Sequence, residues 1–377
     1  MRLRQSPTGI LRCNPPAPWG RPACRSSRRY ASSATAAAAA SPPPKQRLWL
    51  RLAVVTVAAA GIGAYARSRQ GASSSTTLNP YTFTSYTLVS REPISSSGSL
   101  FTLQPPKPDA GNLEVYEEAW KTGVWSVMFK QPQLQIGRDY TPLPPSPEDG
   151  DSLRFFIRRD PFGEVSRYLH GLEVGAPIEM RGPRIECEIP KDTQQIIFIA
   201  GGTGIAPALQ AGHTLLRRTD STTKPQIHIL WANRRREDCA GGFNDTTGVE
   251  KSQTSPWYTR IFKRSPPTTA PTPVTPVESA PSLMVREIEA LKSQYPGQFT
   301  VDYYVDEENQ FIGKEVIRRI ATSTSESSKG MILVSGPEGF ISYMAGPKLW
   351  AQGMELQGPL QGIIRELELK NWAVWKL

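Results

Sequence analysis

Cysteine and histidine are scarce in this chain. Its 377 residues hold four Cys and three His. Cys13 and Cys24 sit near the start, and Cys187 and Cys239 lie far apart, without the paired spacing of a zinc site. His170, His213 and His228 are isolated. These absences exclude a structural zinc centre and a Ser–His–Asp nucleophile, and no metal site is expected. Acidic residues are missing altogether ahead of Glu92, whereas thirteen of the forty-four Lys and Arg lie there. The formal charge of +10 therefore becomes −3 for the rest of the chain. That balance leaves no basic stripe to follow a phosphate backbone, so a nucleic-acid partner is excluded.

Residues 1–46 are rich in Arg, Ser and Ala and free of acids. That is the composition of a mitochondrial transit peptide, or of a plain basic tail. Residues 48–66 follow at once, an apolar run about the length of a transmembrane helix. Arg51 is one turn inside and long enough to snorkel, and Trp49 and Tyr65 mark the two interfaces. A cleaved sorting segment is the other reading of this run. Lys45, Arg47 and Arg51 precede the run, against Arg67 and Arg69 after it. The bias puts the N-terminus in the matrix, and the catalytic part of an inner-membrane protein in the intermembrane space. Residues 67–79, rich in Ser and Thr, read as a linker.

The texture then changes twice. Over 80–190, short runs rich in β-branched and aromatic residues lie at 81–89, 99–103, 124–129, 153–158 and 177–181, punctuated by Pro and Gly, as in a small antiparallel barrel. Over 191–377, strands at 196–200, 226–232, 299–305 and 331–335 alternate with helices at 206–218, 314–321 and 340–352, as in a parallel α/β sheet. The fold class is thus β plus α/β, a barrel followed by a parallel α/β domain. The pattern lapses over 237–281, read as a disordered insertion. Six Pro fall within 265–282, and 257–263 form an aromatic-basic island.

Chemistry concentrates in four motifs. Residues 196–207 read Ile-Ile-Phe-Ile-Ala-Gly-Gly-Thr-Gly-Ile-Ala-Pro. A strand, a glycine-rich turn and a helix start make an anion cradle of backbone N–H groups at the positive end of a helix dipole. Upstream come Arg138-Asp139-Tyr140-Thr141, then Gly163-Glu164-Val165-Ser166, where a Gly opens a second helix, then Arg181-Gly182-Pro183. Downstream comes Ser335-Gly336-Pro337. Each piece alone is weak; the ordered set is far more specific.

In that order the motifs resemble the ferredoxin-reductase-type flavoproteins, most closely the cytochrome b5 reductase branch, over roughly 80–355. The resemblance implies an FAD-binding barrel, a nicotinamide-nucleotide domain, and electron transfer from NADH or NADPH through FAD to an acceptor. It implies that Arg138 and Asp139 lie at the FAD diphosphate, Arg138 pairing with it, that Tyr140 packs on the flavin, and that Thr141 sits near the reactive nitrogen. Gly163, Glu164, Val165 and Ser166 would supply donors to the diphosphate. Gly201, Gly202, Thr203, Gly204, Pro207, Asn233, Gly336 and Pro337 would hold the nicotinamide nucleotide. Ser335 replaces the family's cysteine beside the nicotinamide, so Thr141 and Ser335 are the expected catalytic pair. Arg234, Arg235 and Arg236 would meet a 2′-phosphate or form a solvated charge run. Trp375 would take the place of the family's flavin-stacking terminal aromatic. The presequence, the span and Ser335 together are similar to fungal mitochondrial reductases that keep haem iron ferrous for attachment to cytochrome c. Cytochrome c and haem lyase are then the expected partners. A cytochrome b5 reductase with another acceptor, and a flavin-binding scaffold with little activity, are the alternatives.

Overall fold

Period-two alternation builds the first half of the folded chain. The computed structural model describes residues 55–57, 59, 61, 76–107, 110–218, 224–246, 280–323 and 329–377. The chain forms two units, Met1–Ala66 and Arg67–Leu377. In the first, residues 55–57, 59 and 61 are helical. Among the described residues no helix is long and apolar enough to cross a membrane. The transit peptide expected at 1–46 and most of the span expected at 48–66 lie outside the described residues, as does linker 67–75.

The second unit opens with β1 (Thr84–Pro93), β2 (Gly98–Gln104), α1 (Ala110–Thr122), β3 (Gly123–Gln131), β4 (Ile136–Tyr140), β5 (Leu153–Arg158), α2 (Glu164–His170) and β6 (Pro177–Glu188). The six strands form one antiparallel sheet in the order β4-β3-β6-β1-β2-β5. A lone bridge between Pro142 and Phe155 joins its two edges, which curls the sheet into a barrel. Inside pack Tyr86, Phe101, Trp125, Phe129, Phe155 and Ile157, each worth roughly 1.5–3 kcal/mol of transfer free energy. Helix α1 was not expected from the sequence. Tyr116, Ala119 and Trp120 fall on one helical face and join this core. Asn112, fully buried, accepts from the Leu78 amide at 2.7 Å and so pins the end of the linker.

Strand β5 is the seam between the two halves. Leu153, Phe155 and Ile157 point into the barrel core, while Phe156, between Arg154 and Arg158, joins the core of the second half. Arg154 pairs with Asp149 at 2.7 Å and with Glu287 of the second half. Arg158 pairs across the seam with Asp238 at 2.6 Å.

The second half contains β7 (Gln195–Gly201), α3 (Ile205–Leu216), β8 (Gln226–Asn233), α4 (Leu283–Gln294), β9 (Phe299–Val305), α5 (Lys314–Thr322), β10 (Gly330–Ser335), α6 (Glu338–Ala345), β11 (Leu349–Ala351), β12 (Met354–Leu356), α7 (Gly362–Glu366) and β13 (Trp372–Lys376). Strands β13-β10-β7-β8-β9 form a parallel sheet. Interior strand β10 is buried throughout, as a strand covered on both faces must be. The chain runs outward from β7 through β8 to β9, then returns to β10 on the other side of β7. Strand order therefore reverses between β7 and β10, where an open α/β sheet places its ligand.

Two expectations are corrected. The helix expected over 340–352 stops at Ala345, because Gly346 takes φ 87° and Pro347 follows. A hairpin of β11 and β12 replaces its second half, turned by Gln352 and Gly353 at φ 54° and 74°. The chain end becomes edge strand β13. The expected insertion starts too early, because residues 237–246 belong to the folded domain. There, Asp245 and Asn244 accept from the Val301 and Tyr303 amides at 2.7 and 2.8 Å, and Thr246 donates to buried Asp302. Residues 247–279, with the island at 257–263, lie outside the described residues.

Candidate active site

The carboxyl ends of β7 and β10 meet the barrel across a cleft of about 750 Å³. From the barrel it is lined by Asp139, Tyr140 and Thr141, with Arg158 beside them. The sheet contributes Thr203, Gly204, Pro207, Ser335, Gly336 and Pro337. Motifs roughly 60 and 200 positions apart in the chain thus become opposite walls.

The sheet-side wall is mostly backbone. Residues Gly202–Gly204 form a single 3₁₀ turn running into α3, with no side chain capping either. The first N–H groups of the helix therefore lack a side-chain acceptor and face the cleft end. Gly202 has φ 55°, which favours glycine. A Cβ on Gly204 would lie 2.4 Å from the Ser335 carbonyl oxygen, so loop and β10 touch backbone to backbone. The indole N–H of Trp231, a fully buried residue, donates to the Gly202 carbonyl at 2.9 Å and holds the turn.

The barrel-side wall is made of side chains. Arg138 is exposed, and its guanidinium donates to the Gly137 carbonyl at 2.9 Å. No carboxylate pairs with it among the described residues. Asp139 is engaged with Arg184 at 3.1 Å. Burial raises the pKa of Tyr140, and Asp160 adds to this against the opposing charge of Arg138; the phenol stays protonated. Gly163 opens α2 without a side-chain cap. The Val165 side chain is in the barrel core, which leaves only its amide to meet a ligand. The Ser166 hydroxyl accepts from the Asp160 amide and donates to the Gly163 carbonyl, both at 3.1 Å. Arg138 and 163–166 lie outside the cleft lining, along the barrel.

Several residues of the site were not anticipated. Arg158, Asp238 and Ser96 line the cleft. Ser96 Oγ donates to Glu237 at 2.5 Å and accepts from Arg235 at 3.2 Å. The period-two face shared by Arg154, Phe156 and Arg158 was the available signal. Around the loop, four buried polar atoms have no hydrogen-bond partner among the described residues: Arg158 Nε, Asp238 Oδ1, and Asn233 Nδ2 and Oδ1. Buried groups of this kind are normally satisfied. A dinucleotide, with ribose hydroxyls and diphosphate oxygens, carries the donors and acceptors they need, and the glycine cradle lets its backbone approach. The donor set fits.

Trp375 is a correction. It does not line the cleft; its indole donates to the Glu186 carbonyl on β6 at 3.0 Å. Burial raises both remaining thiols, Cys187 to about 12 and Cys239 to about 11, so neither ionises near neutral pH.

The comparisons agree with this geometry. Residues 85–189 match the oxidoreductase FAD-binding domain and 198–245 the oxidoreductase NAD-binding domain. FAD and NAD(P)H are therefore the cofactors. NADH-cytochrome b5 reductase 2 of Phaeosphaeria nodorum is 24% identical over 305 residues, 78% of this chain and 74% of that one. An uncharacterized FAD-binding protein of Schizosaccharomyces pombe is 34% identical over 162 residues, 42% of this chain and 53% of its own. The cytochrome b5 reductase domain of Ulva prolifera nitrate reductase shares the fold, at 16% identity and TM-score 0.51. The match covers 79% of this chain and 99% of that one.

Proposed function

The chain is an FAD-dependent oxidoreductase that draws electrons from NAD(P)H and is related to the NADH-cytochrome b5 reductases; from that premise we propose that it is an NADH-selective haem-iron reductase of cytochrome c maturation. In this reading it is anchored in the mitochondrial inner membrane and faces the intermembrane space. The observation that carries its chemistry is the cleft, where Tyr140 and Thr141 face Gly204 and Ser335. FAD held there would supply the conversion between two-electron hydride uptake from NADH and single-electron delivery. The protein's part is placement. Arg138 would neutralise the FAD diphosphate, Tyr140 and Thr141 would hold the flavin edge, and the Gly201–Gly204 backbone with Asn233 would hold the nucleotide.

Selectivity for NADH is supported by the charges beyond β8. Arg236 is held by Glu308, and its amide donates to Glu307 at 2.6 Å. Arg235 pairs with Glu237 at 3.2 Å. Of the three arginines, Arg235 and Arg236 are therefore held by carboxylates, and only Arg234, which lines the cleft, is left to meet a 2′-phosphate, with Glu307 and Glu308 close behind it in the fold. The haem task is supported by likeness alone. The relatives are named for a haem-protein acceptor. The presequence, span and Ser335 are similar in architecture to the fungal mitochondrial cytochrome c import factor.

The test is anaerobic. Purified full-length chain should carry a flavin spectrum, bleach with NADH faster than with NADPH, and then reduce ferric haem. Flavin that stays oxidised with both nucleotides would favour the scaffold. Bleaching without haem reduction would favour another acceptor. Protease protection of mitoplasts, with alkaline extraction, checks orientation and anchoring.

A further inference from the structure

We propose that Gln210 is a positioning residue that sets flavin-facing residues 140–142 against the nicotinamide loop, an inference that rests on the cleft being the FAD and NADH site. Gln210 lies in the middle of α3, the helix that begins at the glycine loop, and is fully buried. An amide in an apolar interior is costly unless both its ends are bonded. Here both are, and both partners belong to the other half of the protein. Gln210 Oε1 accepts from the Trp125 amide at 2.8 Å, and Gln210 Nε2 donates to the Pro142 carbonyl at 2.8 Å. The two backbone partners, one donor and one acceptor, fix which end of the amide is which.

Neither partner is satisfied by the barrel ladder. The β3–β6 register shifts between Val124 and Trp125, which turns the Trp125 amide out towards α3. Pro142 follows Thr141 immediately and touches β5 only through a lone bridge. Thr141 is therefore gripped on both sides. Tyr140 before it is in register with Val127, and Pro142 after it is held by Gln210. A leucine would fill the same volume but leave a buried N–H and a buried C=O unpaired.

The rest of the seam does not depend on this side chain. One turn along the same face of α3, Thr214 Oγ1 donates to the Trp120 carbonyl at 2.8 Å. Arg154 and Arg158 bind the halves elsewhere. Loss of Gln210 should therefore shift Thr141 locally while the halves stay docked. Near the reacting atoms, a misplacement of about 1 Å costs on the order of 100-fold in rate.

The experiment uses the full chain loaded with FAD, as wild type, Gln210→Leu and Gln210→Glu. Visible circular dichroism of the bound flavin is read before any nucleotide is added. Anaerobic flavin reduction by NADH is read next. Gln210→Leu should keep FAD, change the flavin dichroism, and slow reduction by about 10- to 100-fold with NADH affinity within about twofold. Gln210→Glu makes a sharper test. A protonated carboxyl donates to the Pro142 carbonyl and accepts from the Trp125 amide, as glutamine does. An ionised one faces the carbonyl with charge. Burial raises that carboxyl's pKa, so the rate of Gln210→Glu relative to wild type should recover as pH falls. Recovery of the rate at constant FAD content marks positioning, whereas a purely structural side chain would recover rate only in step with regained FAD and fold.

The proposal is overturned if Gln210→Leu keeps both the wild-type rate and dichroism, or if Gln210→Glu shows no recovery at low pH. If Gln210→Leu does not fold, Gln210→Glu decides alone. A wild type that binds FAD but does not bleach with NADH overturns the cleft assignment and this proposal together. A bleaching wild type with an indifferent Gln210→Leu overturns this proposal alone.

Discussion

The two walls of the cleft are built on different principles. The barrel wall presents side chains, the protonated phenol of Tyr140 and the hydroxyl of Thr141, with the exposed guanidinium of Arg138 further along the barrel. The sheet wall presents backbone, a glycine turn pressed against the end of β10. A wall of side chains loses one contact per substitution. A wall of backbone has no side chain to remove, and fails when a Cβ is added where two main chains touch. Substitution tolerance should therefore differ sharply across a cleft only a few residues wide.

Gly204→Ala is the largest expected break. Its Cβ would sit 2.4 Å from the Ser335 carbonyl oxygen, and neither backbone has a rotamer with which to yield. Overpacking of this kind costs about 1–3 kcal/mol, and the shift would also spoil the nucleotide cradle. We expect a lowered melting temperature and no bleaching by NADH, with FAD still bound. Normal bleaching would mean that the sheet wall tolerates side chains after all.

Arg138→Ala tests the other wall. Arg138 is exposed and pairs with no carboxylate among the described residues, so folding stability should change by less than about 0.5 kcal/mol. The FAD diphosphate would lose its cation, a charge-assisted contact of about 1.5–3 kcal/mol. The variant should purify without stoichiometric FAD and regain it at high FAD concentration. Stoichiometric FAD in the purified variant would remove Arg138 from the site.

The same contrast decides what was legible in the sequence. The sheet wall was readable because a strand, a glycine turn and a helix are contiguous, at 196–207. The barrel wall was readable only as an ordered set of short motifs. Arg158 and Asp238 were missed because their meaning is tertiary: each became visible once β5 was seen to face the second half. Helix α1 was missed because its apolar positions are few, with Leu113 exposed beside buried Tyr116 and Trp120. Strand β13 was missed for a third reason. Its partner β10 is about 40 residues earlier, and edge pairing leaves no local mark. Expected helix 340–352 ignored a strong one, Gly346-Pro347.

The contrast extends to pH. On the barrel side burial pushes Tyr140 still further above the physiological range, and it is silent. On the sheet side, the far end of α3 carries His213, lowered to about 4 by burial first and by the Arg217 charge second, with Glu117 opposing. Neutral His213 accepts from Arg217 at 3.2 Å and packs edge-on to Trp120; a proton would cost both. The unfolded chain, with a value near 6.5, binds that proton more readily than the folded one. Stability from this group is thus fully present above 6.5 and is lost as pH falls towards 4. At about 1.4 kcal/mol per unit, roughly 2 kcal/mol should be gone near pH 5. Denaturant unfolding of wild type and His213→Gln at about pH 7 and pH 5 checks this. The variant should lack that part of the slope; an equal slope in both would mean that another group carries it.

Ser335→Cys is the smallest change and asks whether the sheet wall is backbone alone. Ser335 ends β10, is 8% exposed, and lines the cleft beside Thr203 and Gly204. A thiol is larger and more polarizable than a hydroxyl, so it would close on a bound nicotinamide that the serine leaves looser. Burial of Cys187 and Cys239 keeps these two from competing as reactive thiols. Anaerobic flavin reduction should speed up by several-fold, about 1 kcal/mol in barrier, with NADH affinity nearly unchanged. Such a split would place this one side chain at the reacting atoms and make the sheet wall a mixed one. An unchanged rate would leave Ser335 acting only through the carbonyl that meets Gly204. The rate of this enzyme would then be governed from the barrel side, where Thr141 and the segment after it are the movable parts.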